Sequence, residues 1–120
     1  MNKKTLVLGA SDHRYRYSYL AIVALQSKGH DVVAIGKRSG KVGKVNIETC
    51  QIGIKDLHTI SLYLNPGNQE GYYDYIISLL PKRIIFNPGA ENEGLADLAG
   101  HHGIETKNAC TLVMLNTGLY

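Results

Sequence analysis

Short apolar runs alternate along the chain with longer stretches in which apolar positions recur every three or four residues. Lys4-Thr5-Leu6-Val7-Leu8, ended by Gly9-Ala10-Ser11, predicts a buried strand. Residues 18–28 follow with Leu20, Val23, Ala24 and Leu25 at helical spacing, and Gly29 supplies a C-terminal stop. Asp31-Val32-Val33-Ala34-Ile35 predicts a second strand, ended by Gly36. Residues 36–55 contain four glycines and no strong helical period, so they read as loop with one short strand around 44–46. Residues 58–64 are rich in β-branched and aromatic side chains, a strand signal, and Asn65-Pro66-Gly67 breaks it. Residues 68–80 place Tyr72, Ile76, Leu79 and Leu80 on one helical face, and Pro81 ends that helix. A strand over 82–86 is closed by Asn87-Pro88-Gly89. A helix over 92–102 turns Leu95, Leu98 and Ala99 inward, with Gly103 as its cap. A strand over 104–107 and a short helix over 111–116 complete the pattern.

Strands alternating with helices imply a parallel sheet covered on both faces. Right-handed crossovers leave few topologies. The expected class is therefore α/β: a Rossmann-like three-layer sandwich on a mainly parallel sheet of five or six strands, with residues 1–120 as one domain. In such sheets ligands gather outside the carboxyl ends of the strands. That rule selects the loops 9–18, 36–44, 65–67, 87–92 and 108–110.

A chain of 120 residues can bury roughly two-thirds of its unfolded surface without disulfide staples. Two cysteines, Cys50 and Cys110, make neither a disulfide framework nor a zinc site. No apolar run is long enough to span a membrane, and the run after Lys3-Lys4 is too short for the core of a signal peptide. The expected location is cytoplasmic.

Charge adds a direction. Residues 1–60 hold ten Lys or Arg against four Asp or Glu, whereas residues 61–120 hold three against six. The cations cluster at Arg14/Arg16 and at Lys37/Arg38/Lys41/Lys44, which suits an anionic ligand held by the first half. A lysine-rich solvated face is the plainer alternative.

The first loop supports the ligand. Gly9 permits a tight turn and close approach to the backbone, and the amides opening the next helix can hold phosphate oxygens. Ser11 and Ser18 add hydroxyls, and Arg14 and Arg16 add charge. Neither G-x-G-x-x-G nor the P-loop pattern is present. The second loop is sharper. Sites for NAD place an acid at the end of the second strand, but here Ile35 is followed by Gly36-Lys37-Arg38. Cations in place of the acid favour a phosphorylated ribose, either NADP or the 3′-phosphorylated ADP of coenzyme A.

No catalytic residue or metal site is assigned. Cys110 reads as a small side chain starting the last helix rather than a nucleophile. His101 and His102 diverge around their helix, so they make a poor metal pair. Glu91 and Glu93 suit a helix amino end better than acid–base work. Tyr15, Tyr17 and Tyr19 alternate, but a nucleic-acid surface needs a broader basic stripe, and neither nucleic acid nor membrane is expected as a partner. Eight tyrosines and no tryptophan leave room for an interface, so a homodimer stays open.

Four segments carry a resemblance: Leu8-Gly9-Ala10-Ser11, the run from Asp56 to Pro66, Phe86-Asn87-Pro88-Gly89-Ala90-Glu91-Asn92-Glu93, and the run from Asn108 to Leu115. Together and in order, they resemble the CoA-binding-domain family, small Rossmann-like proteins similar to the first domain of the succinyl-CoA synthetase α subunit. The resemblance implies a CoA-binding role and no known catalytic machinery. It places Gly9, Ala10 and Ser11 at the pyrophosphate, Lys37 and Arg38 near the adenosine and its 3′-phosphate, and Asn65-Pro66 and Pro88-Gly89 along the nucleotide and pantetheine. Gly36, Asn87 and Asn92 complete the candidate rim. The synthetase's phosphorylated histidine belongs to a separate downstream domain and is not carried over. The expected function is binding of CoA or acyl-CoA without turnover. The alternatives are an NADP-binding reductase-like module and a partner subunit that binds no ligand.

Overall fold

Thr5–Leu8 forms β1, buried at every position because it lies in the interior of a sheet with a strand on each side. In the computed structural model, which describes residues 2–120, β1 runs parallel to β2 (Val32–Ile35) on one side and to β5 (Thr59–Leu62) on the other. Beyond β5 lie β6 (Arg83–Phe86) and β7 (Glu105–Asn108), both parallel. Beyond β2 lie β4 (Val45–Glu48), parallel to it, and β3 (Gly40–Val42), antiparallel to β4. The full order is β3-β4-β2-β1-β5-β6-β7. The mainly parallel α/β sandwich expected from the pattern is present, with one strand more than the largest number expected.

The extra strand comes from a hairpin. Val42 pairs with Val45, and Gly43 turns the chain at φ +59°. Glycine at the first of two turn residues is what a tight hairpin accepts. The pairing Lys41↔Asn46 carries too few apolar residues to announce a strand, which is why the stretch reads as loop from sequence.

Helices cover both faces. On one side α2 (Pro66–Gln69), a 3-10 turn (Glu70–Tyr72), α3 (Tyr73–Leu79) and α4 (Glu93–His101) pack over Leu6, Leu8, Ile60, Leu62, Ile84 and Phe86. On the other side α1 (Tyr17–Ser27) and α5 (Thr111–Thr117) pack over Val7, Ala34 and Ile85. Alternation along each strand divides the core in two, and each fully buried aliphatic side chain contributes about 1.5–3 kcal/mol.

Two expectations about helices need correction. The inward face of α1 is Ser18, Ala21, Ile22 and Leu25, whereas Leu20 and Val23 are exposed at 40% and 44%. The helix is apolar nearly all round, so spacing alone cannot select its buried side. The second helical region begins at Pro66, with Asn65 as its cap, and Leu80 stands outside the core in a left-handed conformation (φ +45°) at the end of α3.

At the amino ends of the strands a polar cluster closes the sheet. Arg83 is buried, donates from Nε to Thr59 Oγ1 at 2.8 Å, and stacks 4.4 Å from the Tyr120 ring centre. His58 Nδ1 shares a 2.7 Å bond with the same Thr59 hydroxyl. His30 Nδ1 accepts from the Lys3 amide at 2.9 Å. Burial, together with the charges of Lys3 and Arg83, holds both imidazoles below their ordinary range and neutral. An unfolded chain takes up these protons near pH 6.5, while the folded chain resists them until lower pH. Stability is therefore expected to fall as pH drops through 6.5 toward 5. Urea melts across that window should show the slope in the parent and a flatter one in the double variant His30→Gln, His58→Gln.

Candidate functional site

The strand order reverses direction between β1 and β5, and the crevice opens there at the carboxyl ends. It is a cleft of about 130 Å³ lined by Gly9, Ile35, Gly36, Lys37, Leu64, Asn68 and Tyr72. That volume accepts one ring-sized moiety of a larger ligand. Three residues singled out in the sequence, Gly9, Gly36 and Lys37, meet in it. Its far wall was not expected. Asn68 and Tyr72 stand four residues apart in the helical stretch after Asn65-Pro66, so helical spacing behind that loop was the available signal.

Gly9 adopts φ +94°, and the amides of Gly9 and Ala10 both donate to Ile35 O at 2.9 Å. Those two amides lock loop to strand, so any amides free for an anion come later. The amino end of α1 offers them. Arg16 stands at the cap position without a side-chain bond to the helix, and no acid occupies the first turn. Tyr17, Ser18 and Tyr19 therefore present amides with no acceptor among the described residues, and the helix dipole adds positive potential. Arg14 and Arg16 flank them, exposed. The Ser11 hydroxyl accepts from the His13 amide at 3.0 Å, and Ser18 is buried.

The second loop touches the first. A Cβ on Gly36 would lie 2.2 Å from Ala10 O, and one on Gly40 would lie 2.6 Å from an Asp12 carboxylate oxygen. Bare backbone at both positions lets the β2 loop and the hairpin lie against the loop after β1. Lys37 and Arg38 extend from this junction into solvent.

On the other flank, side chains are committed inward. Asn65 accepts from the Asn68 amide and caps α2, with Pro66 at the first helical position. Asn92 accepts from Leu95 N and caps α4, and donates to Gln69 Oε1 and Tyr73 Oη. Gln69 is fully buried and donates to Leu64 O and Ala90 O, which ties the two loops together; the sequence reading missed it. Asn87 is also buried. Its amide donates to Ser61 Oγ and Leu62 O, and its oxygen accepts from Thr111 N at 2.8 Å. Pro88 and Gly89 are exposed, and the Gly89 amide donates to Glu91 Oε1. The amide side chains of Asn65, Asn87 and Asn92 are thus each engaged in hydrogen bonds within the chain.

Beside this flank Cys110 is half-buried at the cap of α5, a free thiol like the exposed Cys50. Neighbouring Tyr63 has its phenol pushed up to about 12 by burial. Among the described residues no three His, Cys, Asp or Glu converge as metal ligands, and no helix is long and apolar enough to cross a membrane. A larger hollow of about 770 Å³ lies at the opposite, amino ends of the strands. Its walls mix Lys4 and Lys82 with Asp31 and Asp56, so they present no net charge to an anion.

A doubly wound sheet with an open, cationic helix terminus near its switch point is an arrangement that nucleotide-binding domains use. The chain belongs to the CoA binding domain family, whose model matches residues 3–116. Membership supports a CoA-binding role. The chain is 46% identical to an uncharacterized protein of known crystal structure, with a TM-score of 0.97 over 100% of this chain and 99% of the other. A hypothetical protein from Pyrococcus horikoshii OT3 shares the fold at 21% identity, with a TM-score of 0.85 over 98% of this chain and 83% of that one. The dinucleotide forming acetyl-coenzyme A synthetase 1 of Ca. Korarchaeum cryptofilum contains the same fold at 13% identity and a TM-score of 0.70, with 88% of this chain matching 26% of that one. No curated protein matches the chain.

Proposed function

We propose that this protein binds CoA or an acyl-CoA and holds it without turnover. The observation that carries the reading is the uncapped amino end of α1, with Arg14 and Arg16 beside it, opening next to the crevice that holds Lys37. Pyrophosphate oxygens are taken by the α1 amides and the two arginines. The 3′-phosphate lies toward Lys37 and Arg38, where an NAD site would carry an acid. The chain from Asn65 to Tyr72 walls the crevice, and Pro88-Gly89 borders the path of the pantetheine. The groups offered are amides and cations, which hold anions and break no bond.

Thermal melts with CoA, dephospho-CoA, NADP and ADP test this. CoA is expected to stabilise most, and dephospho-CoA less. A larger response to NADP would favour a reductase-like module, and no response to any would favour a partner subunit. Arg38→Ala is expected to weaken CoA about fivefold, the worth of one exposed charge contact, while leaving dephospho-CoA near its parent affinity. Equal losses for both would remove Arg38 from the 3′-phosphate. Acetyl-CoA recovered intact after prolonged incubation supports holding without turnover, and a thioester hydrolysed in step with protein concentration would overturn it.

A further inference from the structure

The residues that precede four of the strands line up across the sheet. Thr5 pairs with Val32 and with Thr59, and Thr59 pairs with Arg83. One step earlier, Asp31, Lys4, His58 and Lys82 therefore form a row at the amino ends, with neighbours about 4.8 Å apart at the usual strand spacing. Alternation puts Lys4 on the face of Leu6 and Leu8, the side covered by α3 and α4. All four residues line the hollow of about 770 Å³, and Leu57, Leu79 and Leu80 give it an apolar side. That volume suits a whole small molecule, whereas the crevice at the carboxyl ends takes one ring. Backbone bonds fix the row in place. Lys4 O accepts from His58 N and Thr59 N, and His58 O accepts from Lys82 N and Arg83 N.

The charges in this hollow are not used up within the chain. Lys4 Nζ gives one of its three donors to Lys55 O at 2.9 Å, and Asp31 Oδ2 accepts from Asn2 Nδ2 at 2.7 Å, which leaves capacity on both. Lys82 and Asp56 are exposed walls of the same hollow, and among the described residues no ion pair joins these lysines to these acids. Backbone strain falls in the same place. Asp56 (φ +56°) and Leu80 (φ +45°) are the non-glycine residues with positive φ among those described, and both stand in these walls. Glycine would end α3 without that strain, but leucine sets an apolar side chain on the rim. Burial, reinforced by the charges of Arg83, Lys3 and Lys82, keeps His58 uncharged near neutral pH, so two cations face two anions.

We infer that this hollow binds a zwitterion with an apolar body, of amino-acid or short-peptide size. Its carboxylate lies over His58 between Lys4 and Lys82, its ammonium lies toward Asp31 and Asp56, and the three leucines take the apolar body. A lone anion would meet two acids here and a lone cation two lysines, so a ligand bearing both charges is the one that complements all four. The hollow and the crevice stand at opposite ends of the sheet, so this site does not depend on what the crevice binds.

Titration of the isotope-labelled protein with L-leucine and with the dipeptide Leu-Leu, followed by NMR, reads the outcome directly. Saturable shifts are expected at the amides of Lys4, His58 and Lys82 with at least one of the two, while the amides of Gly9, Gly36 and Lys37 stay in place. Tighter binding of Leu-Leu points to a peptide and tighter binding of leucine to a free amino acid, and either supports the site. Leucinamide, which lacks the carboxylate, and isocaproate, which lacks the ammonium, are expected to bind about tenfold more weakly than leucine, the worth of one charged hydrogen bond. The same factor is expected for Lys82→Met and for Asp56→Asn. Both positions are exposed and asparagine accepts left-handed backbone, so the melts of the two variants should match the parent. Excess CoA is expected to leave the leucine shifts unchanged. Absence of saturable shifts with both probes would overturn the inference, as would equal binding of the singly charged analogues or displacement of leucine by CoA.

Discussion

Replacing Gly36 with alanine is expected to destabilise the fold by about 3 kcal/mol and to abolish stabilisation by CoA. The added Cβ would stand 2.2 Å from Ala10 O and 3.1 Å from Ala10 C. Both are backbone atoms of the loop after β1, so no side-chain rotation relieves the clash. Ala10 is held by its own amide bond to Ile35 O, and the Gly36 amide is held by Glu48 O at 2.9 Å. The two segments must separate, which draws the first loop away from the amino end of α1 and spoils the arrangement of amides and arginines. Chemical denaturation measures the first effect and thermal shift with CoA the second. A variant within about 0.5 kcal/mol of the parent, the usual range for harmless surface changes, would show that the two loops do not meet this closely.

Asn87→Ala is expected to lower stability by a similar amount while leaving CoA affinity of the folded protein near the parent value. The side chain reaches three elements at once. It bonds Ser61 Oγ at 3.1 Å and Leu62 O at 3.0 Å, and it receives Thr111 N at 2.8 Å. Ser61 and Thr111 also share a 2.8 Å bond. Truncation strands the Thr111 amide away from water, while Leu62 O keeps the backbone amide of residue 87 at 3.2 Å, and a buried group left unpaired costs about 1–3 kcal/mol. If Asn87 instead contacts ligand, affinity falls and stability stays. Equilibrium unfolding and calorimetric titration of one sample distinguish the two.

That contrast marks what could be read in advance. Strands β1, β2, β5 and β6 are short apolar runs ended by Gly, Asn or Pro, which is how strands buried on both faces announce themselves. The carboxyl-end rule selected the loops that hold Gly9, Gly36 and Lys37, and these three do meet in one cleft. Hydrogen-bond partners were not legible, because they depend on residues distant in sequence. Asn87 and Thr111 are twenty-four positions apart, and Gln69 and Ala90 twenty-one. Nor did the sequence show that Asn65 and Asn92 cap helices and that Asn87 joins three elements. The buried side of α1 was hidden for a different reason. A helix with no charged residue has no polar face to mark outside from inside.

The placement of β1 also governs when this protein can fold. Its first residue, Thr5, pairs with Val32 and with Thr59, so the earliest strand made occupies the centre and needs a neighbour more than fifty positions later. Such long-range pairings slow folding, because the chain entropy of the intervening loop is lost before the contact forms. On the ribosome, which adds about 5–20 residues per second, seconds pass between the emergence of Thr5 and that of Thr59. Throughout that interval one edge of the central strand stays open, and a nascent chain so exposed is a natural client for a chaperone that shields apolar strand edges.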